Sequence, residues 1–344
     1  MGIENQANGL YANLKNISNF ITLNKAEIEI KAKNENTNGI AQSYGILSNS
    51  TDGKSVVTLN EKSSINATAE AAGYLIGYGI YSVKDGGESS IVNTGAMDIT
   101  TTTNGGTMVE NVGIKAQGGD VTVNGALTVS SIANDLTNKE NNKVYGVWST
   151  NGGNINVNGT TTISTSGGQD IAVVAGTEKW TDVTAAPDDG TNNINLNYGL
   201  GSKITGDIIS GYGGNIVIGT PESTEGGIST LSARNNNGTL TLTGDALSAN
   251  GGKLTVNLTA GSTWTGRADD YQDAALPTWK EEHEEQFNPK FSNSIEASGN
   301  VKVNLAQGAK WNVTGQSWVT ELDGNGVINL TNGEGSDAMH IGTV

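Results

Sequence analysis

The sequence predicts an all-β chain wound as a parallel β-helix. Three observations carry this: a glycine recurring at a near-fixed interval, apolar residues at every second position, and Gly-Gly pairs between the apolar runs. The recurring glycine is Gly9 in "NGLYA", Gly45 in "SYGILS", Gly79 in "GYGIYS", Gly113 in "NVGIKA" and Gly146 in "VYGVWS", at intervals of 36, 34, 34 and 33 residues. The alternation recurs inside each unit: "ITLNKAEIEI" from Ile21, "VTLNEKSSI" from Val57, "SIVNTGAMDI" from Ser90, "VTVNGALTV" from Val121 and "INVNGTTTI" from Ile155. A period of two marks strands with one buried face. Self-similar units with about three short strands each stack into a solenoid whose rungs lie ~4.8 Å apart. The pairs Gly86-Gly87, Gly118-Gly119, Gly152-Gly153, Gly213-Gly214, Gly226-Gly227 and Gly251-Gly252 are expected at the corners. There a positive φ costs glycine little. Asn24, Asn60, Asn93, Asn124 and Asn158 fall at matching places and are candidates for a ladder of stacked amides.

From "NNINLNYGLGSKITGDIIS" onward the coils shorten and the signature glycine fades. A new pair takes over, "LTVNLTAGSTW" from Leu254 and "VKVNLAQGAKW" from Val301, with Trp264 and Trp311 47 residues apart, as are Leu254 and Val301. The excess over a short coil is assigned to "RADDYQDAALPTWKEEHEEQFNPKFSNS", which holds two of the four prolines and two of the three phenylalanines. It reads as an insertion projecting from the solenoid, with a helical turn around "TWKEEHEEQF". The predicted organisation is β-helix coils over 1–266, an inserted loop over 267–294, and further coils over 295–344.

Composition narrows the function classes. Lys and Arg number 19 against 35 Asp and Glu, a net charge of −16, and no basic cluster reverses it locally. Such a surface repels nucleic acid and anionic lipid. No apolar run is long enough to span a bilayer, so no membrane insertion is predicted. Cysteine is absent, which suits a chain that crosses membranes unfolded. No leader pattern is read at Met1-Gly2, and the chain is expected to be part of a longer exported protein.

Gly/Asn/Thr-rich β-solenoid repeats without cysteine resemble the passenger domains of bacterial autotransporters, the type V secretion family. The run "AKWNVTGQSWVTELDGNGVINLTNG" is similar to the stretch leading into the autochaperone segment of pertactin-like passengers, through Trp311, Gly315, Ser317, Leu322, Gly326 and Val327. "GSTWTGRADD" resembles the same family's Trp-x-Gly coil. The resemblance implies a right-handed parallel β-helix, export to the bacterial surface, and adhesion as the commonest role. Where the chain stops, at "MHIGTV", it predicts an exposed strand edge.

Parallel β-helices also carry glycan lyases and hydrolases, so fold alone does not decide the chemistry. A phosphate loop fails at Ser48, which stands where "DGKS" would need its first glycine. His283 and His340 are the only histidines and no nucleophile-elbow motif is present. Arg234 and Arg267 are the only arginines, and neither lies in a repeat of acids. No catalytic residue, cofactor or metal ion is predicted. "KEEHEEQF" with Asp269, Asp270 and Asp273 offers oxygen ligands, but a charge run more often forms a solvated face. Thr-x-Thr runs such as "TLTLTG" would suit an ice-binding face, but the matching "GALTV" and "GAMDI" are expected to break the file.

Aromatic residues are the strongest functional signal. Trp148 replaces Lys115 and Tyr81 at one repeat position, which is therefore expected to face water. Trp180 and Trp279 fall in loops, with Tyr271 and Phe287 alongside. Rings in loops suit sugar stacking or protein hot spots. The candidate receptor-binding residues are Arg267, Tyr271, Trp279, His283, Phe287, Trp148 and Trp180. The chain is expected to be a non-enzymatic adhesin, displayed at the cell surface or secreted. Its expected partner is a host-cell or bacterial surface protein or glycan. The alternatives are a self-associating passenger driving aggregation or biofilm, and a glycan-active enzyme.

Overall fold

The computed structural model describes residues 4–12, 18–36, 38–51, 53–134, 142–176, 192–219, 238–271, 297–330 and 339–343. Within them the chain is all-β, a parallel β-helix of three sheets with 9, 11 and 10 strands. The first rung is β1 (Glu4–Ala12), β2 (Asn19–Leu23) and β3 (Glu27–Asn34). The second is β4 (Ile40–Ser50), β5 (Lys54–Leu59) and β6 (Ser63–Ala71). Then come β7 (Tyr74–Lys84), β8 (Ser89–Thr94) and β9 (Met97–Asn104), followed by β10 (Met108–Gln117), β11 (Asp120–Val123) and β12 (Leu127–Asn134). The fifth is β13 (Lys143–Thr150), β14 (Asn154–Gly159) and β15 (Thr161–Ser166). Through these rungs the first strand of each joins sheet A, the second sheet B and the third sheet C, all paired in parallel.

The predicted alternation is observed as stacked columns. Val57, Val92, Val121, Ile155 and Ile194 form one inward column of sheet B, and Ile65, Ile99, Val129 and Ile163 face them from sheet C. Each such side chain contributes about 1.5–3 kcal/mol by leaving water, and stacking makes the core continuous along the axis. Leu254 pairs with Val301 and Trp264 with Trp311, the two indoles lying parallel 4.2 Å apart. Each donates its indole N–H to a carbonyl of the rung before, Trp264 to Gly244 and Trp311 to Gly266, both at 2.9 Å. That satisfies the one polar atom each ring buries.

The two kinds of glycine do different work. Of the expected corner pairs, Gly226-Gly227 lies outside the described residues. In those at 86, 118, 152, 213 and 251 the first residue has positive φ, as Gly86 at 81° and Gly152 at 80°. The second does not; a Cβ on Gly87 would strike Ser50, and one on Gly153 the carbonyl of Ala116. One glycine therefore turns the chain and the next lets it pass close to the rung below.

Gly9, Gly45, Gly79, Gly113 and Gly146 are not corners. They lie mid-strand in sheet A, where a Cβ would meet Ile28, Ile65, Ile99, Val129 or Ile163 of sheet C and the carbonyl of the next residue in the column. Beside each glycine the strand turns two consecutive residues inward, as Gly79 and Ile80, so the pleat changes phase there. The column ends at Ala172 in β16 (Ile171–Ala175). There the register shifts between Ile171 and Val173, and the next strand omits the doubled residue. This is why the signature fades in the second half. Coil length then varies, from short coils such as Asn192 to Gly214 to long ones such as Asn215 to Lys253.

The coil continues past 266, where the inserted loop is expected to begin. Ala268–Asp269 is a strand of sheet A paired with Ala246 and Leu247. The Gly299 amide donates to the Asp270 carbonyl at 2.8 Å; the rest of the predicted insertion, with its helical turn, lies outside the described residues. The Asn ladder is also corrected. Asn60 bonds Asn24, and Asn158 bonds Asn124, but Gly95 separates the two pairs, and Asn93 stacks between Thr58 and Thr122 instead.

Candidate functional site

Outward-facing columns of sheet A carry the aromatic chemistry. One runs Tyr11, Leu47, Tyr81, Lys115, Trp148, Val174, Ile209 and Leu247; its neighbour runs Tyr44, Tyr78, Val112, Tyr145 and Ile171. The sequence correctly places Tyr81, Lys115 and Trp148 at one position. It errs on exposure: Trp148 is 1% exposed and Lys115 2%. These columns form a second buried cluster on the outside of the sheet. A lysine in a repeat column is a sign of water only when no carboxylate can follow it inward, and here one does.

That carboxylate is Glu110, 6% exposed, five residues back on the same strand, in a further outward column with Ile76 and Lys143. The Lys115 ammonium donates to Glu110 at 2.8 Å and lies 4.1 Å from the centroid of the Trp148 ring. The Tyr78 hydroxyl also donates to Glu110, and Lys143 approaches it at 3.8 Å. Burial alone would raise the Glu110 carboxyl, but Lys115 and Lys143, with the hydrogen bonds from Lys115 and Tyr78, hold it below its ordinary 4.5. Burial, reinforced by Glu110, pushes the Tyr78 phenol well above its ordinary value. The cluster is a closed ion pair capped by rings, with Trp148 edge-on to Tyr145 at 5.2 Å.

Toward the amino-terminal rungs the same face opens. Gln6, Tyr11, Gln42, Tyr44, Leu47, Asn49, Tyr81, Val83, Lys84, Asp85 and Gln117 line a groove of about 460 Å³. Tyr11 is 47% exposed. Tyr44 and Tyr81 lie nearly parallel, 6.2 Å apart. The Tyr44 hydroxyl donates to Gln42 Oε1 at 2.7 Å and that of Tyr81 to Gln117 Oε1 at 2.8 Å. With those oxygens engaged, each carboxamide keeps its N–H groups as donors. The side-chain oxygen of Asn49 is buried and makes no hydrogen bond. No sequence motif marked this groove. Its signal was the outward Tyr, Gln and Asn of successive units, visible only once the phase change at each glycine is known.

Two of the sequence-predicted receptor residues belong to the coil. Tyr271 is fully buried in the outer cluster, with φ of 50° and its amide held by Asp269 at 2.8 Å. Arg267 is mostly buried, its guanidinium between Asp245 at 3.2 Å and Asp269 at 3.3 Å. Burial would lower the Arg267 value, but Asp269, Tyr271 and Asp245 raise it. Trp180, Trp279, His283 and Phe287 lie outside the described residues. Among the described residues no three His, Asp or Glu side chains converge as a metal site, and no helix is long and apolar enough to cross a membrane.

The other two outer faces are wet. On sheet B, Asn154 donates to Asp120, Asn193 to Asn154, and Asn215 to Asn193, at 2.7, 2.7 and 3.0 Å. On sheet C, Thr100, Ser130, Ser164, Thr205, Thr243 and Thr265 form an unbroken hydroxyl column, longer than the sequence suggested. The adjacent column is interrupted by Asp98 and Lys203. Comparison with known protein families, curated proteins and solved structures finds no match to this chain.

Proposed function

We propose that this chain is a non-enzymatic adhesin, the passenger segment of a bacterial autotransporter displayed at the cell surface or secreted. The observation that carries the reading is the ring- and amide-lined groove on the outer face of sheet A, borne on a solenoid whose core runs unbroken along the axis. A stiff rod with side chains of one chemistry on one face separates holding from binding, and binding residues can vary without disturbing the inward columns. The partner on this reading is a host-cell or bacterial surface protein or glycan.

The test is bead attachment. Beads carrying the whole chain are counted on host cells and on bacteria beside beads carrying an unrelated acidic β-solenoid. A second set carries Tyr11→Ala with Tyr81→Ala, and a third carries a Gly-Ser turn in place of residues 272–296. The expected result is attachment above the control, reduced by the tyrosine substitutions. Attachment no better than the control discards the reading. Clumping of beads without cells favours self-association, and breakdown of a surface glycan favours an enzyme.

A further inference from the structure

We infer that the groove at the amino-terminal rungs of sheet A binds an uncharged, extended, β-linked oligosaccharide lying along the solenoid axis. The argument starts from spacing. Tyr11 pairs with Leu47 and Leu47 with Tyr81, so the two tyrosines stand two rungs apart in one outward column. Two strand spacings are ~9.6 Å, close to the length of one disaccharide in a ribbon-like glycan. In such a ribbon alternate sugars present the same face, so successive disaccharides meet Tyr11 and Tyr81 while Leu47 fills the space between.

The polar lining fits the same ligand. Sugars offer an apolar ring face bordered by hydroxyls that both donate and accept. The groove supplies tyrosine rings and the N–H donors of Gln42 and Gln117. Charge selects against acidic glycans. Lys84 and Asp85 at the rim cancel each other, and the chain carries −16 overall.

The groove is distinct in chemistry from the closed Glu110–Lys115 cluster farther along the face, whose polar atoms are already paired. The inference deepens the adhesin reading and rests on it for the setting in which the glycan is met. The two fail separately. Glycan binding by the purified chain without bead attachment to cells discards the adhesin alone; bead attachment without glycan binding discards this inference alone.

The experiment is calorimetric titration of the whole chain with cellohexaose, a β-1,4-linked glucose chain, and with maltohexaose, its curved α-linked counterpart. Cellohexaose is expected to bind and maltohexaose to bind at least about tenfold more weakly. Removing either ring, in Tyr11→Ala or Tyr81→Ala, is expected to weaken cellohexaose binding about tenfold. Tyr11→Phe keeps the ring and is expected to retain binding, which separates stacking from misfolding; circular dichroism and the melting temperature check the fold of each variant. No binding of cellohexaose, equal binding of maltohexaose, or an affinity unchanged by both alanine substitutions overturns the inference. Capture of a surface protein through the groove by a chain that ignores cellohexaose overturns it as well.

Discussion

The outer faces of sheets A and B belong to the same rungs, yet their chemistry is opposite. Sheet A turns Tyr44, Tyr78, Tyr145 and Trp148 outward and buries them in a second apolar cluster around one ion pair. Sheet B turns outward Asn154, Asn156, Asn193 and Asn195, whose amides bond from rung to rung in water. The strands of both sheets are parallel and pair alike, so backbone geometry does not explain the contrast. What differs is the phase change at the sheet A glycines, which turns two neighbouring residues inward and resets the outward set after them. The inward columns hold the rod together, and the outward ones are free to differ.

Substitutions can break this contrast. The largest effect is expected from Lys115→Ala. It leaves Glu110 buried with Tyr78 and the more distant Lys143, and should destabilise the protein by about 3–5 kcal/mol in urea unfolding. Replacing Lys115 and Glu110 together with Met and Leu should recover most of that loss, because the second charge goes with the first. Recovery of none would show that the pair fixes the packing of Trp148 rather than merely neutralising itself.

Gly79→Ala tests the other element of the contrast. The new Cβ meets Ile99 and the Gly113 carbonyl, and should cost about 1–3 kcal/mol as overpacking, read from the urea midpoint. A midpoint equal to that of the unsubstituted protein would show that sheets A and C separate easily. Acid gives the next effect. Because folding holds Glu110 below its ordinary 4.5, its contribution is present above that value and is lost as pH falls through the lower folded value. Melting temperatures of the Glu110→Gln protein should therefore fall less between pH 6 and pH 3 than those of the unsubstituted one, the interval reaching about 1.5 units either side of the ordinary value. The smallest effect is expected from Asn195→Ala on sheet B. It removes one amide bond of 2.9 Å to Asn156 and should cost about 1 kcal/mol or less, since water replaces the partner.

Much of the fold was legible. The spacing from Gly9 to Gly146 gave the rung length, and the pairing of Trp264 with Trp311 followed from equal offsets. Those signals survive because a stacked core repeats its demands at every rung. The outward side was harder to read. Trp148 was placed in the right column and on the wrong side of the water boundary, because a lysine in that column argued for exposure while its partner Glu110 lay in another column. Arg267 and Tyr271 were read as loop because prolines and charges close behind them masked a two-residue strand. The groove carried no motif at all, since its residues come from β1, β4, β7 and β10 and from the turn after β7.

The inward half of this protein is legible along the chain: which residues alternate, how long a rung is, and where glycine must turn the backbone. Those are local requirements of a strand and a corner, written within a few residues of where they act. The outward half is set by the stacking of the rungs. Whether Tyr11 meets solvent, whether Trp148 closes over Lys115, and whether Asn49 keeps an unsatisfied oxygen depend on residues some thirty positions away, brought alongside by register. Burial of a polar group is settled by its neighbours in space, and a repeat fixes the columns without fixing what fills them.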